Sequence, residues 1–248
     1  MTLQEFFQQN LEVAIAFSGG VDSAYLLYEA CRHTKRVRAY YVQSEFQPKF
    51  ELDDARKLAD ELKADMKILH VSALSIPEVK ANPKNRCYYC KQAIFGTIKK
   101  AAAEDGFTVL LDGTNASDDE GDRPGMQALR ELEVKSPLRD CGLTKDEIRK
   151  RSKEAGLFTW DKPAYACLAT RIPAGEELTQ EKLTATEKAE MYLFSLGFQD
   201  IRVRSDDGHA RIQIPKEQIA ELIKNREEIL NELKQYYKTV SLDLEVRS

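Results

Sequence analysis

An apolar run, "LEVAIAF" at 11–17, ends in Ser18-Gly19-Gly20-Val21-Asp22-Ser23, and helical spacing begins at once through Val21, Ala24, Tyr25, Leu27 and Tyr28. A buried strand, a glycine turn and a helix start in that order present backbone N–H groups at a helix N-terminus, where a phosphate can approach them. The junction contains no GxxxxGK[ST], and no lysine stands at the helix start, so it is not a Walker loop; a GxGxxG fingerprint is missing as well. A bare Gly-Gly is also the plainest of turns. The rest of the chain decides between a phosphate loop and a plain turn.

Strand-like and helical stretches alternate after the junction. "VRAYYV" (37–42) reads as a strand, 51–64 as an amphipathic helix, "MKILHV" (66–71) as a strand, 91–106 as a helix stopped by Gly106, and "FTVLLDGTN" (107–115) as a fourth strand running into a polar loop. The β-α-β-α-β-α-β order predicts an α/β fold with a mainly parallel sheet and helices on both faces. Such sheets bind ligands at the carboxyl ends of their strands, which is where Ser18–Ser23 falls. A further helix is expected over 143–156, with Thr144 and Glu147 as a capping box.

The pattern changes near "RIPAGEELTQEK" (171–182), and we place the boundary there, with one domain over 1–172 and a second over 173–248. The second reads as a small α+β module. It has a helix over about 182–196, two strands joined at "DDG", a long helix over 216–235 and a last strand at 239–246.

Thirty-seven basic against 41 acidic residues give a net charge of −4, a poor basis for a surface that grips nucleic acid. There is no basic leader and no apolar run of membrane-spanning length, so a cytoplasmic location is the default. Five cysteines in such a setting are not read as disulfides. Cys87 and Cys90, in "RCYYC", fit a redox pair, half of a metal site or two small apolar residues near a helix start. Cys167, in "ACLATRIPAG", is followed by Arg171, a cation able to lower a thiol's pKa or clamp an anion; alone it reads as a small core residue. In the loop after the fourth strand, Asp112, Thr114, Asn115 and Asp118 are placed to face the same crevice as Ser18–Ser23, or to be solvated. His33, His70 and His209 have no ligand spacing.

SGGVDS resembles the PP-loop of the N-type ATP pyrophosphatases, the adenine nucleotide alpha hydrolase-like fold, and "DGTN…D…RPG" resembles the loop after the fourth strand in several of them. Residues 166–175 resemble the CLA[ST]R-I-P-x-G motif of the LarE family of ATP-dependent sulfur transferases, and the similarity continues through "LGFQDIRVRSDDGHARIQIP". The resemblance implies that Ser18, Gly19, Gly20, Asp22, Ser23 and Asn115 hold ATP, with Asp22 helping to place Mg²⁺, a hard cation suited to carboxylate. It implies a pyridinium dicarboxylate mononucleotide as substrate. One carboxylate is adenylated, sulfur attacks, and AMP leaves a thiocarboxylate.

The resemblance also bears on the thiols. In one branch of the family the CLA[ST]R cysteine gives up its own sulfur. This chain resembles a second branch, in which Cys87, Cys90 and Cys167 would hold a [4Fe-4S] cluster with one open iron. Cys31 and Cys141 would be spectators. Arg171, Glu190, Arg202 and Arg204 match substrate-binding positions, the last two for a phosphate. Many relatives carry Glu where this chain has Gln213, which puts a metal or substrate site there in doubt; Glu221 is a weaker candidate for the same cluster. A PP-loop tRNA thiolase is the competing reading, and an iron–sulfur storage or assembly protein a further one. The family also implies a homo-oligomer built through the C-terminal module, and the sulfur source stays open.

Overall fold

The computed structural model describes residues 1–118 and 124–245. Arg123, at the far end of the acidic loop, and Val246, at the end of the expected last strand, lie outside the described residues. In chain order the elements are α1 (Leu3–Gln9), β1 (Glu12–Ala16), α2 (Val21–His33), β2 (Arg36–Gln43), α3 (Lys49–Leu62), β3 (Asp65–His70), α4 (Pro77–Lys80) and α5 (Arg86–Glu104). These are followed by β4 (Leu110–Leu111), α6 (Pro124–Glu131), α7 (Pro137–Asp140), α8 (Lys145–Glu154), α9 (Gln180–Ser195), β5 (Arg202–Asp206), β6 (His209–Gln213), α10 (Ile219–Lys224), α11 (Arg226–Leu233) and β7 (Thr239–Leu242). Contacts divide the chain into two compact units, Met1–Ala73 with Asn85–Lys162, and Leu74–Lys84 with Pro163–Ser248.

The first unit is the expected α/β domain. Its four strands are parallel in the order β3-β2-β1-β4. Side chains alternate across the sheet, as the pleat requires. Val13, Ile15, Ala39 and Tyr41 join a core with α1, α2 and α8 on one face; Ala14, Tyr40 and Val42 join Ile98, Ala101 and Ala102 of α5 on the other. Ile15, Leu26, Leu27 and Leu58 are fully buried, each worth about 1.5–3 kcal/mol. Asp105 ties the amino ends of the strands, accepting from Lys67 (2.8 Å) and Tyr40 (2.8 Å) and pairing with Arg38 (3.0 Å). Those partners, Lys67 first, hold its carboxyl well below the usual range.

Strand β1 leads to β2 on one side while β4 lies on its other side, so the sheet's direction of winding reverses between β1 and β4. That reversal opens a crevice at the carboxyl ends of both strands. The loops after them, Ser18–Ser23 and Asp112–Asp118, therefore emerge side by side.

Two local expectations change. Helix α5 begins at Arg86, five residues before the periodic apolar pattern suggested, so Cys87 and Cys90 lie inside its first turns rather than ahead of it. Strand β4 is only two residues long, because from Asp112 onward the side chains cap their own loop instead of pairing.

In the second unit β5-β6-β7 form a sheet, with β5 and β6 antiparallel and β6 and β7 parallel. The β5–β6 turn has Asp207 at φ 43° and Gly208 at φ 80°, the two left-handed residues of a type I′ hairpin. Ala189, Leu193, Val203, Ile212, Ile229 and Leu233 meet in its core. The helix expected over 216–235 is broken at Asn225, which caps α10 and opens α11. Residues 74–84 belong to this unit through Asn82, whose amide donates to the carbonyls of Pro173 (2.7 Å) and Glu176 (3.1 Å), and through a Lys80–Glu177 ion pair at 2.7 Å.

Candidate active site

The phosphate loop is built by serines. Ser18 Oγ lies 3.0 Å from Ser23 Oγ, the Gly20 N–H donates to Ser18 Oγ (3.3 Å), and Ser23 Oγ donates to the Gly20 carbonyl (3.2 Å). Gly19 has φ +73°, and a Cβ there would lie 3.1 Å from Ala55 Cβ, so the turn is closed to larger residues. Gly20 is the N-cap of α2, and no side chain caps that helix. Its first N–H groups remain available for an anion.

Asp22 sits in that first turn. One carboxylate oxygen accepts from Lys145 Nζ at 2.6 Å; the other, Oδ1, is buried and has no hydrogen-bond partner. Burial is the largest influence and pushes the carboxyl's pKa up; Lys145 and Arg149 pull it down, and Asp118 pushes it up. A buried unpaired acceptor costs about 1–3 kcal/mol, and next to an uncapped helix start it is the oxygen a hard cation would take.

The loop after β4 braces this arrangement. Asp112 accepts from Thr114 Oγ1 (2.5 Å) and Ser136 Oγ (2.6 Å), and Asn115 Oδ1 accepts from the Ser117 N–H (2.8 Å). The Asn115 N–H donates to Asp118 (2.9 Å), and the Lys145 N–H to Ser117 Oγ (3.0 Å). Asp112 and Asn115 thus set the loop's shape, and the loop in turn holds the start of α8. Sequence reasoning missed Lys145. Its signal was present: a lysine in the first turn of a helix opposes the macrodipole, a misplacement of about 0.3–1 kcal/mol that needs a reason. A Cβ on Gly113 would lie 2.9 Å from the Ser23 backbone nitrogen. Gly113→Ala is expected to cost about 1–3 kcal/mol of stability and to weaken ATP binding. Thermal melts and calorimetric titration check both; wild-type values in the two would refute the contact.

Cys87 is exposed and Cys90 half-buried. Three residues apart in α5, they share a face near an N-terminus that no side chain caps. Two cysteines at this spacing fit two ligands of one cluster. Cys31 and Cys141 pack against the first unit's core, and burial raises both thiols' pKa. Among the described residues no three His, Cys, Asp or Glu side chains are gathered around a metal position.

In the second unit Cys167 is half-buried at the start of a 3-10 turn, Leu168–Arg171. Its carbonyl accepts from the Thr170 N–H (3.0 Å) and Thr170 Oγ1 (2.9 Å). Arg171 is fully buried, donating to both oxygens of Glu190 (2.8 and 3.0 Å) and to the Ala166 carbonyl (2.7 Å). Glu190 also accepts from Tyr165 Oη (2.5 Å) and the Val203 N–H (2.8 Å). The pair is committed to the loop carrying Cys167. Arg202 is 4% exposed, donating to the carbonyls of Ile201 and Ala164. Its guanidinium and that of Arg171 both stack on Tyr165, 5.0 and 4.5 Å from the ring centre.

Arg204 differs from Arg202. It lines a cavity of about 710 Å³ together with Thr170, Ser205, His209 and Arg211. Arg211 was not singled out in the sequence, and His209 was named there only as lacking ligand spacing. Strand alternation could have found Arg211, which pairs directly opposite Arg204.

The asparagine synthase family profile matches residues 4–118. An uncharacterised Synechocystis protein is 38% identical over 98% of this chain and 92% of its own length. A pyridinium-3,5-bisthiocarboxylic acid mononucleotide synthase of Lactiplantibacillus plantarum is 33% identical over 94% of this chain and 85% of its own. A tRNA-specific 2-thiouridylase of Pseudothermotoga lettingae is 27% identical over 67% of this chain and 58% of its own. No helix among the described residues is long and apolar enough to cross a membrane.

Proposed function

Because the chain belongs to the LarE family, within the PP-loop ATP pyrophosphatase superfamily, we propose that it is an ATP-dependent sulfur transferase acting on a pyridinium-3,5-dicarboxylate mononucleotide. The observation that carries the reading is the Ser18–Ser23 loop, with its uncapped helix start and the unpartnered oxygen of Asp22. The loop's N–H groups receive the pyrophosphate end of ATP. Asp22 would hold Mg²⁺, which would supply positive charge to the leaving phosphates, and Lys145 stands beside Asp22 as a second cation. A substrate carboxylate oxygen attacks the α-phosphorus, and the bond to the bridging oxygen breaks to release pyrophosphate. A sulfur nucleophile then adds to the carbonyl carbon of the acyl adenylate, and AMP leaves with the oxygen.

The cavity of the second unit is the seat of the substrate's phosphate, with Arg204 and Arg211 as its cations. Cys87, Cys90 and Cys167 would be the ligands of a [4Fe-4S] cluster, which would supply the sulfur. The helix-start position of the first two and the thiolate preference of such clusters support that assignment. The chain works in the cytoplasm as a homo-oligomer built through the second unit, whose Ile223 (54%) and Leu244 (89%) are exposed apolar side chains.

The test combines the protein anaerobically with ATP, the mononucleotide and sulfide. Pyrophosphate and a product with oxygen replaced by sulfur are expected; neither product, or release that depends on tRNA, overturns the reading. Iron reconstitution separates the sulfur routes. Wild type is expected to take up about four irons and four sulfides per chain, and Cys87→Ala, Cys90→Ala and Cys167→Ala to lose the visible absorbance. A colourless wild type that loses one sulfur mass at Cys167 per turnover establishes the sacrificial route instead.

A further inference from the structure

Antiparallel pairing sets Arg204 directly opposite Arg211, and both line the same cavity. Like charges opposite one another destabilise a sheet, so something must hold the two guanidiniums in place. The Gln213 side chain, diagonal to Arg204, accepts from its Nε through Oε1 at 2.8 Å and donates through Nε2 to Asp243 Oδ2, also at 2.8 Å. That Asp243 oxygen lies 3.4 Å from Arg211 Nη1. A continuous relay, Arg204–Gln213–Asp243–Arg211, therefore spaces the two cations, and Arg204 is fixed from a second side by the Thr170 carbonyl at 2.7 Å.

Gln213 is the one member of the relay that both accepts and donates, through the two ends of its amide. With Gln the relay carries two positive charges and one negative. A glutamate would cancel the excess and set two carboxylates within hydrogen-bond distance, an arrangement that repels anions and attracts cations. Asp206 and His209 line the turn end of the same cavity, outside the relay.

We infer that Gln213, acting through Arg204 and Asp243, is a positioning and specificity-determining residue that commits this cavity to a phosphate monoester. The inference rests on the reading of the cavity as the seat of the substrate's phosphate. It explains the departure at position 213: the amide belongs to an anion site, and no carboxylate is missing from it.

The test is calorimetric titration of the full chain with ribose 5-phosphate, with ATP titrated separately as a control on the first unit. Wild type binds ribose 5-phosphate, and Arg204→Ala abolishes binding. Gln213→Glu weakens it about tenfold or more and Gln213→Met about threefold, each with ATP affinity and thermal midpoint held. The Met variant removes the relay without adding charge, so it separates lost positioning from added repulsion. No binding to wild type, or binding indifferent to Arg204→Ala, overturns the phosphate seat and the inference with it. Binding lost in Arg204→Ala but equal in Gln213→Glu and wild type overturns the role of Gln213 alone.

Discussion

Asp22→Asn lowers ATP-dependent pyrophosphate release by about 10²–10³-fold and leaves the thermal midpoint equal to or above that of wild type. The two halves of this result have one cause. Asp22 is a carboxylate kept in the wrong solvent: burial raises its pKa, and Oδ1 has no hydrogen-bond donor. A carboxyl whose folded pKa lies above its unfolded value favours the native state below the unfolded pKa. That contribution is lost as pH rises through the folded value. At neutral pH the ionised group is therefore a local cost, opposed by Lys145 at 2.6 Å. Asparagine removes the cost, and with it the negative charge that would hold a cation beside the phosphates, the expected trade of activity for stability. Pyrophosphate release and melting curves at pH 7 measure both; a variant with wild-type rate removes Asp22 from the machinery.

Arg171→Met destabilises the protein by about 3–5 kcal/mol, the penalty for leaving one member of a buried ion pair without the other. The side chains of Arg171 and Glu190 are 0% and 1% exposed. Glu190 would keep Tyr165 and the Val203 N–H but lose both guanidinium bonds, and the Ala166 carbonyl would lose its donor. The double variant Arg171→Met/Glu190→Leu recovers most of the loss, because it removes the stranded charge together with its cause. Urea unfolding of the two variants is the measurement, and a single-variant loss below about 1 kcal/mol would show that solvent reaches the pair.

The parallel sheet was legible because β1, β2 and β3 are short apolar runs separated by helical periods, and those signals are local. Loop geometry was less legible. Asp112 and Asn115 sit where the sequence placed them, yet their oxygens serve the loop itself, a division of labour that residue type does not reveal. Lys145, 123 residues from Asp22, and Arg211, opposite Arg204 across a hairpin, become visible only once the chain has folded. Arg202 and Arg204 looked equivalent on one strand face. They differ because Tyr165, from a segment almost forty residues earlier, covers the first.

The attachment of Leu74–Lys84 to the second unit has a consequence in time. Asn82 reaches carbonyls 90 to 94 residues further along the chain. During synthesis at about 5–20 residues per second, that segment waits roughly 5–20 s for its partners to emerge. The two stretches of the first unit flank this waiting segment in sequence, while the remaining residues of the second begin at Pro163. A fragment starting at 163 lacks the piece of chain that Asn82 and Lys80 provide, so the second unit's boundary for expression cannot be drawn by a single cut.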